Sequence, residues 1–396
     1  MDLRTAGRML YVSPADVSVG NGPGVNENEF IHALHAAVGE RAHFLVPRPL
    51  EAVDDLPAQS LTFCAPHRRY RPWRFPFHVI SQIRAANRLL REGRFDLFVF
   101  RIDVFPFVPF YLTRRHRLPY AIKTLGTGAL DALERRGWFA RLLAPLNRRM
   151  FHSLVSRALV ADTDSEGHAI ALRQRLGLSE REVVWIDNAV NTGRFRPGGR
   201  DETRRALGLE RCDPLLGYVG SRPWERGGAQ LVEAAAKLAP RHPALGVVIV
   251  GAGEPVERMK RRAAELGIAE RCHFLGYVPY RRIPLVVRSL DVGVSISLAP
   301  ERAVNSELKV RQYLACGKPI VISPGGNEFV REQGFGSVVE PGDIDAITEA
   351  LAHWLALAPA ERDAFAARTA RYMHEHLSMA VAIDRRLRLW SERMTA

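Results

Sequence analysis

The stretch from Ser306 to Val321, Ser-Glu-Leu-Lys-Val-Arg-Gln-Tyr-Leu-Ala-Cys-Gly-Lys-Pro-Ile-Val, leaves the chain few folds to choose from. Ser306 has the side chain of an N-cap, Glu307 places negative charge at the positive end of a helix, and Gly317 suits a left-handed C-terminal cap. The spacing predicts a helix of roughly three turns after Ser306, with Leu308 in its first turn. Lys318-Pro319 stops it and Ile320-Val321 opens an apolar strand. A helix that feeds a strand in this way belongs to an α/β sheet, with the helix N-terminus at the carboxyl-end face of the strands, where anionic ligands bind. Lys309 stands in the first turn against the dipole preference, in a chain that draws nearly all its positive charge from arginine. It reads either as a phosphate contact or as a solvated cation.

The same alternation runs through the whole chain. Met9–Val12 is followed by the glycine-rich 20–24, including Gly22 and Gly24, and by a helical pattern from about Glu27 to Val38. Strands are expected at 43–46, 60–63, 97–100, 120–124, 158–161 and 183–186, with Gly126 after the fifth of the seven and Asp164 or Ser165 as a helix cap. The turn-rich segment 187–199 marks a boundary. Beyond it the alternation restarts: 214–219, 245–250, 272–275, 292–296 and 320–322 read as strands, with glycine turns at Gly220, Gly251 and Gly276. Long helices are expected at 129–156 and, amphipathic, at 359–393. The expected organisation is a domain over 1–190, a second over 191–370, and a C-terminal helix over 371–396. Each domain is read as a parallel sheet covered on both faces.

Charge narrows the partners without choosing among them. The 396 residues carry a formal net charge of +13, which favours nucleic acid, an anionic membrane surface or a phosphorylated substrate. The four cysteines, Cys64, Cys212, Cys272 and Cys316, lack the spacing of a disulfide framework or zinc site, pointing to a reducing cytoplasm. With no apolar run near the ~20 residues of a membrane span, membrane contact would be peripheral. The segment 66–77, Pro-His-Arg-Arg-Tyr-Arg-Pro-Trp-Arg-Phe-Pro-Phe, precedes a helix bearing Arg84, Arg88, Arg91 and Arg94. Interleaved arginine and aromatic residues suit a bilayer headgroup layer, stacked bases, or simply a solvated basic face.

A dinucleotide fingerprint is incomplete at Gly251-Ala252-Gly253, where Glu254 follows and the third glycine is missing. No nucleophile triad, carboxylate pair or metal-ligand spacing stands out. What remains is a set of cations and amides. Arg222 and Arg226 flank a loop ending in Gly227-Gly228, and with the helix after Ser306 they would neutralise a departing diphosphate.

Gly220-Ser221-Arg222-Pro223-Trp224-Glu225-Arg226-Gly227, Val250–Gly253, Phe274–Val278, Ser306–Val321 and Val338–Asp343, in this order, resemble glycosyltransferase family 4, retaining nucleotide-sugar enzymes of the GT-B fold. The resemblance spans about 158–395, with the N-terminal half matching by pattern. It implies two Rossmann-like doubly wound domains facing across a cleft, with the final helix returning to the first. It assigns Arg222, Arg226 and Lys309 to the donor diphosphate as catalytic groups. Gly220, Ser221, Gly251, Tyr277, Val278, Glu301, Asn305, Ser306, Glu307, Leu308 and Gln312 would complete the donor site, and Gly22, Gly24 and Gly126 would line the first domain's side of the cleft. Gln312 replaces the family's ribose-binding glutamate; Val304 occupies the other common glutamate position, with Glu301 nearby as a substitute. A frequent cleft histidine is replaced by Leu125. The resemblance implies no cofactor and no metal, and a front-face displacement assisted by the leaving phosphate. The expected partners are a nucleoside-diphosphate-sugar, a glycan or lipid-linked acceptor and an anionic membrane surface, with no nucleic acid, in a cytoplasmic protein of cell-surface glycan synthesis. A non-catalytic sugar-nucleotide-binding subunit, an epimerase or hydrolase on the same fold, and a nucleic-acid-binding module are the competing readings.

Overall fold

The computed structural model describes all residues except 19–21, 51–52, 54–55, 66–74, 103–104, 125, 129, 131–137, 299–305 and 396. The chain divides into two units: Met1–Asp187 together with Met379–Ala396, and Asn188–Ser378.

The first unit holds seven parallel strands: β1 (Met9–Val12), β2 (Ala42–Pro47), β3 (Leu61–Cys64), β4 (Leu97–Ile102), β5 (Tyr120–Thr124), β6 (Val160–Thr163) and β7 (Val183–Trp185). Their order is β3-β2-β1-β4-β5-β6-β7, so the winding reverses between β1 and β4. Both faces are covered, hence the near-continuous apolar runs of these strands. On one face lie α1 (Gly22–Val38) and α14 (Met379–Thr395), whose Phe30, Ile31, Leu34, Ile383, Leu387 and Trp390 pack against Tyr11 and Phe44. On the other lie α2 (Phe75–Glu92), α3 (Phe107–His116), α4 (Trp138–Val155) and α5 (Glu166–Leu176), which contribute Ala86, Val108, Leu112, Phe151, Leu154 and Leu172.

The second unit repeats the plan with β8 (Leu215–Val219), β9 (Gly246–Val250), β10 (Cys272–Gly276), β11 (Val292–Ser295), β12 (Ile320–Ile322) and β13 (Gly336–Val338), in the order β10-β9-β8-β11-β12-β13. Every strand pairing is parallel. Its helices are α6 (Arg200–Leu207), α7 (Gly228–Leu238), α8 (Glu254–Glu265), α9 (Ile283–Ser289), α10 (Leu308–Ala315), α11 (Phe329–Glu332), α12 (Ile344–Leu355) and α13 (Pro359–His376). Here the reversal falls between β8 and β11. The expectation of two doubly wound parallel domains holds.

Local expectations are corrected at three places, and α3 is an element for which no expectation was formed. The glycine segment near the start is not all loop: α1 begins at Gly22, placing Gly22 and Gly24 inside its first turns, with Pro23 in the first turn where a missing N–H costs nothing. Gly20 and Asn21 lie outside the described residues. The connection between β4 and β5 is the helix α3, with Pro109 near its start. The single long terminal helix is two, broken at Leu377-Ser378, because the Leu377 carbonyl accepts a bond from Val190 N–H at 2.9 Å instead of continuing the helix. Finally, Glu307 rather than Ser306 occupies the N-cap of α10, with no side-chain capping bond. Gly317 does adopt the left-handed conformation expected of it, at φ +73°.

Candidate active site

In open α/β sheets the crevice at the reversal of strand order, at the carboxyl ends of the strands, is where ligands bind. In the second unit the loop 220–227 after β8 and the N-terminus of α10 flank that point. Arg226 comes from the loop and pairs with the carboxylate of Glu307, which precedes α10. Ser295 Oγ donates to the other Glu307 oxygen. Lys309, one residue into α10, lies 3.7 Å from Glu307 Oε2. Its ammonium donates to Tyr218 Oη at 2.9 Å and sits 4.3 Å from the centroid of that ring.

The surroundings decide the electrostatics. Burial, and then the neighbouring Arg226 charge, hold the Lys309 ammonium well below its ordinary pKa. An anion arriving beside it would reverse that shift. Ser306 is buried, its Oγ has no hydrogen-bond partner, and its carbonyl accepts from Asn188 Nδ2 at 3.0 Å. Two cations, an unsatisfied hydroxyl and a helix N-terminus thus gather around one carboxylate, a pattern complementary to a phosphate group.

Glycines shape the floor of this site. A Cβ on Gly220 would lie 2.7 Å from Tyr218 Oη and 3.2 Å from Lys309 Nζ, so a side chain there would disturb the Lys309–Tyr218 pair. Gly227 has φ +98° and comes within 2.9 Å, measured from a Cβ, of the Ile296 backbone nitrogen. Gly220 N–H bonds to the Val250 carbonyl at 3.3 Å and Gly251 N–H to the Gly276 carbonyl at 3.0 Å. The carboxyl edge of β8, β9 and β10 is thereby laced into one ledge, which ends at exposed Tyr277 and half-buried Val278.

The residues expected in the site divide accordingly. Arg226, Lys309, Ser306 and Glu307 converge, and Gly220 lies against them. Ser221 and Arg222 are exposed on the same loop. Leu308 is half-buried, while Gln312 is buried one turn further along α10, beside Arg311, whose Nη1 donates to Asn327 Oδ1 at 2.8 Å. Glu301, Val304 and Asn305 lie outside the described residues. Among the described residues, no group of three His, Cys, Asp or Glu is placed to hold a metal ion.

Three members of the site had escaped the sequence reading: Tyr218, Ser295 and Tyr313, whose buried hydroxyl accepts the Val219 N–H at 2.7 Å. Their strands and helix are far apart in the chain, and each reads as an ordinary buried position. The only available signal was a tyrosine two residues before the turn glycine.

The reversal point of the first unit is also lined. A small cavity of about 20 Å³ lies between Val12, Phe75, His78, Gln82, Arg101 and Phe105, among others. Gln82 donates to the Ser13 carbonyl at 2.8 Å. Behind it Glu27, fully buried, binds Arg101, accepts from Tyr11 Oη at 2.7 Å and lies 3.5 Å from Lys123 Nζ. Burial alone would push the Glu27 carboxyl up, but Arg101 and Lys123, with bonds from Ser13 and Tyr11, hold it at about 2. Gly126, at φ +66°, packs against His168, whose Nδ1 is 2.7 Å from Asp164 Oδ1. Leu125, aligned with the family's histidine, lies outside the described residues.

Comparison with known proteins supplies what geometry cannot. Residues 199–371 match the glycosyl transferases group 1 family. That match lies within the second unit, Asn188–Ser378. Over 343 residues the chain is 29% identical to the 2-deoxystreptamine N-acetyl-D-glucosaminyltransferase of Streptomyces fradiae, covering 82% of this chain and 75% of that one. It is 28% identical over 187 residues to the 2-deoxystreptamine glucosyltransferase of Streptomyces kanamyceticus, covering 46% of this chain and 48% of that protein. Among solved structures it resembles Anabaena HepE in complex with UDP and glucose, with a TM-score of 0.73 at 18% identity, covering 98% of this chain and 100% of that one. That likeness shows the fold. The matched residues include Arg226, Glu307 and Lys309, so the cation cluster lies within the group 1 match.

Proposed function

We propose that the chain is a retaining glycosyltransferase that moves a sugar from a nucleoside-diphosphate-sugar to a glycan or lipid-linked acceptor. The observation that carries this reading is the convergence of Arg226 and Lys309 on Glu307 at the strand reversal of the second unit. Diphosphate departure develops charge on the bridging and terminal oxygens, and fixed cations in a partly dry site stabilise that charge without reorganising. Arg226 offers a planar fork for two phosphate oxygens, and Lys309 a point charge oriented by Tyr218. Gln312 takes the ribose hydroxyls, and backbone around Tyr277 and Val278 holds the base.

In the proposed step the bond from the anomeric carbon to the β-phosphate oxygen breaks as the acceptor oxygen bonds to the same face. The acceptor's hydroxyl proton passes to the departing phosphate oxygen, and the nucleoside diphosphate leaves. No nucleophilic side chain is required, so catalysis rests on positioning and charge. The first unit is assigned the acceptor, at the cytoplasmic face of an anionic membrane, without cofactor or metal. The Streptomyces fradiae relative favours a second acceptor class, a small aminocyclitol; a panel of aminocyclitols, glycans and lipid-linked sugars assayed for transfer decides between them.

The test is calorimetry against UDP, GDP, ADP and CMP and their sugars. One diphosphate should bind, and Arg226→Ala should weaken it by about ten- to a hundredfold, the worth of hydrogen bonds to charged groups. No binding at millimolar ligand, or full binding by the variant, overturns the donor site. Donor binding without any transfer favours the non-catalytic reading.

A further inference from the structure

We propose that the outward side of α2, α3 and α4 on the first unit is a docking surface for an anionic lipid bilayer. The three helices share one face of the sheet, burying Ala86, Val108, Leu112, Phe151 and Leu154 in the same core, so their opposite sides look outward together. They also touch in series: His116 Nε2 is 2.7 Å from Asn87 Oδ1, and Arg114 Nη2 is 3.3 Å from Ser153 Oγ.

Each helix shows the same two-part pattern. Exposed apolar side chains come first: Phe77, 69% exposed, and Ile80 on α2, Phe107 and Tyr111 on α3, Leu143 and Leu146 on α4. Arginines follow on the exposed side: Arg84, Arg88 and Arg91, then Arg114 and Arg115, then Arg148 and Arg149. On α2 the steps from Phe77 through Ile80, Arg84 and Arg88 to Arg91 are three or four residues, which keeps them in one stripe. The aromatic end is braced from beneath, where Phe105 and Phe107 stack at 5.6 Å and Phe75 lies 5.2 Å from Phe105. Together the three helices contain eight arginines and a single acid, Glu92.

That composition selects the occupant. A second copy of the same face would set arginine against arginine. A nucleic-acid backbone would satisfy the cations but leave Ile80, Leu143 and Leu146 uncovered, since bases stack on aromatic rings and not on aliphatic chains. An anionic bilayer satisfies both halves, with apolar side chains entering the boundary layer and arginines meeting headgroup phosphates. A bilayer seated there lies beside the small cavity at the strand reversal, which α2 and α3 also line. The inference therefore deepens the acceptor half of the proposed function and rests on that half alone.

The test is co-sedimentation of the full chain with phosphatidylglycerol-containing vesicles and with pure phosphatidylcholine vesicles. Wild type should pellet with the anionic vesicles only. The triple variant Arg84→Gln, Arg88→Gln, Arg91→Gln should lose on the order of a hundredfold in partition, at about fivefold per arginine. The double variant Phe77→Ser, Ile80→Ser should weaken binding at unchanged charge. Absence of wild-type binding, or equal binding by the triple variant, overturns the proposal. So does tight binding of a random oligonucleotide that the triple variant loses while vesicles never bind. Nucleoside-diphosphate affinity of the same variants should match wild type, so failure here is distinguishable from failure of the donor site.

Discussion

Glu27 shows how much a single buried carboxylate can hold in place. Its carboxyl stays ionised down to about 2 in the folded chain, against a usual 4.5, because Arg101 and Lys123 outweigh the cost of burial. The stabilisation it contributes is therefore complete above pH 4.5 and lost as pH falls through 2. Glu27→Gln should lower stability at neutral pH by about 3–5 kcal/mol, the cost of leaving buried cations uncompensated. It should also flatten the acid limb of stability against pH, as urea denaturation over that range would report. Gly227 makes a different residue-scale case. With φ +98° and a backbone nitrogen 2.9 Å from any Cβ, Gly227→Ala should cost about 2–3 kcal/mol and weaken diphosphate binding, read by denaturation and calorimetry. Gly220 and Lys309 were legible as candidate site residues, and Gly227 as the end of the loop that carries Arg226, because glycine and lysine are conspicuous where they stand. Tyr218 and Ser295 were not, since a buried tyrosine or serine in a strand carries no local mark of what it will face.

At the scale of elements, the opposite end of the second sheet is tied by Asp291, which opens β11. It accepts from Arg200 Nε at 2.8 Å, Arg204 Nη2 at 2.5 Å and the Leu215 backbone N–H at 2.7 Å, joining α6, β8 and β11. Burial alone would raise its carboxyl, and Arg200 and Arg204 lower it below the usual range. Asp291→Asn should destabilise the chain by about 3 kcal/mol, with diphosphate binding to the surviving folded protein unchanged, because the tie lies away from the carboxyl edge. Thermal denaturation with and without nucleotide checks both parts. Strands and their neighbouring turns could be read from apolar runs and glycines. The helix ends at 22, 107, 307 and 377 could not, because each is set by a packing partner or a proline whose effect depends on the chain around it.

For the whole molecule, the return of the chain's last helix to the first unit matters most. Arg386 on α14 binds Asp162 at the end of β6 at 2.7 and 3.0 Å, both side chains buried, while Leu387 and Trp390 complete the core over β1. Arg386→Met should cost about 3–5 kcal/mol by stranding Asp162, and the double variant Arg386→Met, Asp162→Leu should recover much of it. Paired chemical denaturation curves would show the coupling. The amino-acid sequence by itself determined the parallel α/β class, the presence of two such sheets, and the glycine turns and first-turn lysine of the candidate site. Those follow from local periodicity and from backbone conformations that few residues tolerate. Tertiary structure alone decided that Arg226, Ser295 and Lys309 meet on one carboxylate; the grouping of the last helix with 1–187 agrees with the return that the family resemblance implied. The contacts of Ser295 and Arg226 with Glu307 join positions 12 and 81 residues apart, and only the strand order and the burial of charge select them.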